Sequence, residues 1–301
     1  MANISYVTLT ELKRQWDAEN ENIAILSAPV MMQYARTASS KVERITGREF
    51  MPRIEIRYFD ARNSRLLGPH IDSSRETMDL DQPLLELTTT VLGDSTSLTT
   101  DTDVRLSPRG SEPAFELQIY FPQTARWTDY TDDFIDAIVI TGIWGWRDRY
   151  TEEGWQLSGD AIKTTALTAD TTNTTIKVTD ADGANWIGDT PRFDRGMLIR
   201  IDSEYMSVVD TDTDSTPNTL TVIRAARGST VATHIADTAI SVFVVQPEIV
   251  RATQLIAFFD YVRRGKIAQV TFDGVTTVEG IEVPNEVAEI LGAFTPIRIG
   301  G

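Results

Sequence analysis

The sequence predicts an α+β chain. Helical segments near both ends fold over a small antiparallel sheet, and an all-β module is inserted ahead of the last helices. Three observations carry that expectation. Apolar residues step by three and four through residues 27–46 and again after Pro247, the period of a helix with one buried side. They alternate with polar ones through residues 54–58, the period of a half-exposed strand. From 158 to 245 the chain is crowded with Thr, Asp and Gly and has no helical period. The predicted layout is residues 1–157 (helices, then sheet), 158–245 (the inserted module) and 246–301 (C-terminal helices and tail).

The elements follow in order. Thr8 and Glu11 have the spacing of a capping box, and Leu9, Leu12 and Trp16 fall on one side of the short helix behind it. Ser27 is the expected N-cap of the next helix, with Pro29 in its first turn. Met31, Ala35, Ala38, Val42 and Ile45 form its seam and Gly47 ends it. Ile54, Ile56 and Tyr58 then alternate with Glu55 and Arg57. Met78, Leu80, Leu84, Leu85, Leu87 and Val91 mark one or two strands interrupted at Pro83. Strands near 104–106, 115–121 and 135–143 complete a sheet of five or six.

In the module, strands are expected at 174–178, 197–201, 205–209, 219–223 and 239–244. Turn signals such as Asp182-Gly183, Arg195-Gly196 and Arg227-Gly228 separate them. Pro247 opens a helix with Ile249, Ile256, Phe259 and Val262 on one side, broadened by Leu255 and Phe258. Arg263, Arg264 and Lys266 complement the dipole at its end. A last helix starts at Pro284 with Val287, Ile290, Leu291 and Phe294 as its apolar side.

Composition narrows the function. The chain has 301 residues, 41% of them hydrophobic, enough for a proper core. It has no cysteine, so thiol catalysis, disulfides and Cys-ligated zinc are excluded. The first residues lack the apolar stretch of a secretory leader, and the most apolar stretches are too short to span a membrane, so neither leader nor membrane partner is expected. The net charge is −16. Residues 158–245 hold 12 acidic and 7 basic side chains, so the acidity is spread over the whole chain. Such a surface disfavours sequence-specific DNA binding, although it suits a conduit through which DNA slides.

Candidate chemistry is sparse. His70 and His234 are the only histidines, both expected in exposed loops. Asp210, Asp212 and Asp214 have calcium-loop spacing, but Ser215 and Thr221 stand where glycine and glutamate are needed, so an acidic hairpin tip is expected. Asp132, Asp133 and Asp136 lie near Trp127 and Trp144, an arrangement a glycosidase could use. A chain with 44 acidic residues also produces it by chance. No phosphate loop, nucleophile elbow or dinucleotide fingerprint is present. No enzyme activity, cofactor or metal is expected.

Several motifs fall in a recognisable order. A long helix ends in Thr46-Gly47-Arg48-Glu49-Phe50-Met51-Pro52 and passes into a strand. Leu80-Asp81-Gln82-Pro83-Leu84-Leu85-Glu86-Leu87 follows, then Ile138-Val139-Ile140-Thr141-Gly142-Ile143-Trp144-Gly145-Trp146. A helix then opens at Pro247, and Gly280-Ile281-Glu282-Val283-Pro284 precedes the closing one. Over about two thirds of the chain this resembles the head-to-tail connector (adaptor) family of tailed bacteriophages. The likeness implies a helical connector core with a small antiparallel sheet. It implies a virion protein, assembled in the host cytoplasm, that sits at the head–tail interface as a homo-oligomeric ring, usually a dodecamer, under the portal protein. Such a ring extends the DNA channel used in packaging, lets genomic DNA pass without sequence-specific binding, and offers a platform for tail or tail-completion proteins. The implied subunit or portal interface is Arg263, Arg264 and Lys266 with the tail residues Pro296, Ile297, Arg298 and Ile299. The inserted module departs from the family pattern. An alternative reading is a carbohydrate- or receptor-binding tail component acting through that module.

Overall fold

The computed structural model describes residues 5–18, 26–61, 71–72, 76–107, 109–110, 112–120, 124–163, 166–265, 275–278 and 281–295. Helix α1 (Leu9–Ala18) opens on the expected capping box. The Thr8 N–H donates to the Glu11 carboxylate at 2.7 Å, and the Glu11 N–H donates to Thr8 Oγ1 at 3.2 Å. Helix α2 (Ala28–Thr46) follows Ser27, whose backbone is extended but whose hydroxyl makes no cap bond. It ends at Gly47, which takes a left-handed conformation (φ 65°) and donates its N–H to the Glu43 carbonyl, the conformation for which glycine is favoured at a helix end. Its buried side carries Met31, Ala35, Ala38, Val42 and Ile45, the seam read from the sequence.

The chain divides into two compact units, Met51–Glu153 and the remainder, Met1–Phe50 with Gly154–Gly301. In Met51–Glu153 the strands are β1 (Arg53–Phe59), β2 (Ile71–Asp72), β3 (Thr77–Val91), β4 (Ser97–Leu98), β5 (Val104–Ser107), β6 (Ala114–Ile119) and β7 (Ile138–Trp144). They form one antiparallel sheet in the order β1-β7-β3-β6-β5, with β2 and β4 each paired to β3. One face buries Met78, Leu84, Leu87, Leu117, Trp127, Ile138, Ile140 and Trp144.

The other unit holds β8 (Trp155–Ala161), β9 (Thr175–Val178), β10 (Leu198–Ile201), β11 (Glu204–Asp212), β12 (Asn218–Ile223) and β13 (Ala239–Phe243), an antiparallel sheet ordered β8-β13-β10-β11-β12-β9. Its apolar cluster draws only on residues 162–242, among them Ile176, Phe193, Ile199, Met206, Leu220, Val222 and Ile240. Helix α3 (Pro247–Gly265), the hairpin β14 (Val275–Val278) with β15 (Ile281–Pro284), and helix α4 (Asn285–Gly292) complete the unit. Trp16 of α1 stacks on Tyr261 of α3 at 4.7 Å between ring centres, and Tyr34 of α2 meets both edge-on. Helix α1 also grips the β module. The Leu9 N–H donates to the Arg195 carbonyl at 3.1 Å and the Thr10 N–H to the Asp194 carboxylate at 2.6 Å.

Among the described residues strand outweighs helix, 36% against 25%, and the large sheets have seven and six strands. The expected helical core with only a small sheet is therefore wrong. The physical reasons are local. Pro83 does not interrupt β3, because the strand breaks register there, between Asp79 and Leu84 against β6 and again between Leu84 and Glu86 against β7. A bulge tolerates the missing N–H, and the Pro83 carbonyl still accepts from the Gly145 N–H at 3.0 Å. Strands β2 and β4 are two residues each, too short for any periodicity to register. No described helix is long and apolar enough to cross a membrane.

Candidate functional site

Helices α2 and α3 pack side by side and leave a groove of about 480 Å³ between them. Val30, Gln33, Tyr34, Thr37 and Lys41 of α2 line it by falling three and four residues apart on one side of the helix, and Asp260 and Arg263 line it from α3. The Lys41 ammonium donates to both oxygens of Asp260, at 2.6 and 2.8 Å, and ties the two helices across the groove. Both side chains are largely shielded from water, so the attraction is screened less than in an exposed pair. Tyr34 lines the groove while its ring abuts Trp16 and Tyr261. The lining is thus a polar–apolar trough with a fixed ion pair, suited to receiving a side chain or a short segment from a partner.

Of the interface residues expected from sequence, Arg263 lines this groove and pairs within the chain with Glu282 of β15. Arg264 lies in the last turn of α3, and its side chain falls outside the described set, as do Lys266, Pro296, Ile297, Arg298 and Ile299. The sequence reading missed Lys41, Asp260 and Tyr34. The signal that could have found them was the second, polar side of the α2 stripe, at positions three and four apart beside the apolar seam.

The most concentrated buried charge lies in the β module. Glu204 and Arg224 are fully buried and joined by two hydrogen bonds of 2.7 Å. Glu204 also accepts from the N–H groups of Ala225 (3.0 Å) and Ala232 (2.9 Å), and His234 Nε2 lies 2.9 Å from it. Burial by itself raises the Glu204 carboxyl. The Arg224 guanidinium, followed by the Ala232 N–H, the His234 ring and the Ala225 N–H, outweighs it and holds the group at about 2. His234 Nδ1 lies 2.7 Å from Asp202. His234 was expected in an exposed loop and is instead buried, at 1% exposure. Both oxygens of Glu204 accept from these neighbours, so the arrangement acts as a cross-brace between β11, the chain after β12 and the segment that carries His234. His70 lies outside the described residues.

The remaining candidates are scattered. Asp132, Asp133 and Asp136 lie on an exposed loop, where Asp133 accepts from the Ile135 N–H and the Asp136 N–H donates to Asp60. Trp127 and Trp144 are buried, and their indole N–H groups donate to the carbonyls of Glu76 and Glu55. Of the expected acidic hairpin tip, Asp214 lies in the turn between β11 and β12 and donates its N–H to Asp212 at 3.0 Å, while Asp210 and Asp212 belong to β11 and Asp210 pairs with Arg195. Among the described residues, no group of three or more His, Asp or Glu side chains could hold a metal ion. Comparison of the chain with protein-family models, curated proteins and solved structures finds no match.

Proposed function

We propose that this chain is a structural virion protein of a tailed bacteriophage, a connector that assembles as a ring, usually of twelve copies, between the portal protein and the tail. The observation that carries the proposal is where the ordered motifs fall. Gly47 closes α2 six residues ahead of β1, the Ile138–Trp144 motif is β7, Pro247 opens α3, and Ile281–Pro284 is the strand that leads into α4. These motifs fall on elements or their boundaries, which supports the reading; the Leu80–Leu87 motif does not, since it lies inside the continuous strand β3. The groove between α2 and α3, with Arg263 on its rim, is the surface assigned to a neighbouring subunit or the portal. A net charge of −16 favours passage of DNA over its retention. The protein's work is assembly at the head–tail interface, and no catalytic step is assigned to it.

The test is to mix the full chain with purified portal rings and image the product by electron microscopy. The proposal expects an added ring of density under the portal. It also expects Thr37→Arg, which fills the groove from an exposed position, to abolish that density at unchanged melting temperature. A chain that stays unbound at saturating portal would overturn it. One observation favours a second reading, a receptor- or carbohydrate-binding tail component. The loop at 185–189 presents Trp186 and Ile187 to solvent at 36% and 72% exposure, with the Asn185 side chain accepting from the N–H groups of Ile187 and Asp189. A glycan array probed with the full chain and with Trp186→Ala separates the two.

A further inference from the structure

The two ends of the seven-stranded sheet are built differently. Strand β5, at one end, has four residues, and its Arg105 is held by Gln118 of β6 at 2.7 Å. A short edge strand of that kind is a poor template for another chain. Strand β1, at the other end, has seven residues, and among the described residues it pairs with β7 alone, in unbroken register from Arg53 to Phe59. It contains no proline, glycine, lysine or bulge, and its charges, Arg53, Glu55 and Arg57, alternate in sign, with Arg57 paired within the chain to Glu55 at 3.0 Å and to Asp81 at 3.1 Å. Its side chains also sort by face. Ile54, Ile56 and Tyr58 lie on the outer face, where Ile56 is 52% and Tyr58 59% exposed. Their neighbours across β7 are Ile143, Thr141 and Val139. Arg53, Glu55 and Arg57 lie on the opposite face, with the Arg57 guanidinium 4.5 Å from the centre of the Trp144 ring.

We infer that β1 is the docking edge for a second copy of this chain, which adds its own β1 antiparallel about a two-fold axis through Ile56. The charge pattern selects both partner and register. Centred on Ile56, Glu55 of each copy faces Arg57 of the other, twice over. Ile54 faces Tyr58, Ile56 faces its own equivalent, Arg53 faces Phe59 at each end, and all seven residues overlap. Centred on residue 55, Arg53 would face Arg57 and Glu55 would face Glu55. Centred on residue 57, the two Arg57 side chains would meet. Like charges directly opposite destabilise a sheet, while opposite charges and apolar pairs support it. A shift by an odd number of residues would set apolar side chains against charged ones. A continuous sheet running head-to-tail through many copies would need two open edges, and β5 does not supply the second.

The contact is one strand wide, below the area of a standard stable interface, so the dimer is weak, with a dissociation constant on the order of micromolar or above. A two-fold contact does not close a ring. The dimer is therefore a state of the free chain, and it does not rest on the connector reading.

The chain has no cysteine, so Ile56→Cys introduces a single thiol on the proposed axis. Directly opposed Cα atoms in an antiparallel pair are about 4.5 or 5.5 Å apart, and both separations lie within disulfide reach. On oxidation this variant is expected to convert to a covalent dimer, whereas Leu157→Cys, also exposed but on the edge strand β8, is not. By sedimentation velocity the unmodified chain should dimerise in the high micromolar range. Glu55→Arg and Arg57→Glu should each weaken the dimer roughly tenfold through two like-charge contacts. An equimolar mixture of these two variants should recover it as a heterodimer, because every facing pair is again opposite in sign. Melting temperatures of all variants check that each is folded, and Ile56→Lys, at an exposed position, provides a second disruption that leaves the charge pairs intact. A monomer throughout, a dimer that survives Ile56→Lys, open-ended aggregates, or a mixture that fails to recover association would each overturn the inference.

Discussion

The two large sheets solve the same packing problem with different materials. The sheet of Met51–Glu153 buries a cluster of Leu, Ile, Met, Val and three aromatic rings, and where its unit buries a charge, at Arg147, the partner Glu153 stays partly exposed. The sheet of the β module comes from a stretch rich in Thr and Asp, and it sets a fully buried Glu204–Arg224 pair beside its smaller apolar cluster, with His234 against Glu204. The contrast shows two ways for a sheet to become unique. One relies on apolar volume, which tolerates small changes. The other relies on a saturated polar network, which stabilises only when every member is present.

Breaking the network should produce the largest effect. Arg224→Met leaves the Glu204 carboxylate buried without its cation and should cost about 4 kcal/mol, read as a lowered urea midpoint of the full chain. Adding Glu204→Leu to it should recover part of that loss, because the unpaired charge is then gone. Acid should act on the same group almost as strongly. Glu204 titrates at about 2 in the folded chain, below its value when unfolded. Its stabilisation is therefore complete above about pH 4.5 and disappears as the pH falls toward 2, a loss of about 3 kcal/mol. Urea midpoints measured down that range should fall steeply for the native protein and more gently for Glu204→Gln. In the other sheet, Ile138→Val should cost only about 1 kcal/mol, and that cost should be the same at pH 4 and pH 7. The smallest change sharpens the picture outside both sheets. Thr8→Ala removes one side of the α1 capping box and should cost roughly 0.5–1 kcal/mol, seen as faster amide exchange in the first turn of α1.

The same contrast explains what could be read from sequence. The four α-helices among the described residues were legible, because each has an apolar side and either a cap or a proline at its start. Five strands of the β module were legible from alternation and turns. Strand β3 was not read as one piece, because a proline argues against a continuous strand unless the bulge that accommodates it is known. Strand β8 was missed because Gln156, Ser158 and Asp160 beside Leu157 and Gly159 carry no apolar alternation. The Glu204 network was invisible for a different reason. Its members lie 20 to 30 residues apart, and only the pairing of β11 with β10 and β12 brings them together. The groove was half legible. Arg263 was named from the charge at a helix end, whereas Lys41 and Asp260 required knowledge that α2 and α3 are neighbours.

The turn that holds α1 has a consequence for anyone who would transplant the β module as a cassette. Asp194 and Arg195 complete the helix start at Leu9 and Thr10, and Gly196 sits so close beneath that a methyl group there would lie 2.8 Å from the Met32 side chain and 2.9 Å from the Val7 carbonyl. A graft cut at the ends of the six-stranded sheet would leave behind the helix that its own turn was shaped to seat. The portable piece would therefore carry residues 5–18 as a separate strip of chain, and a two-segment graft is expected to show a higher urea midpoint than a single-segment one.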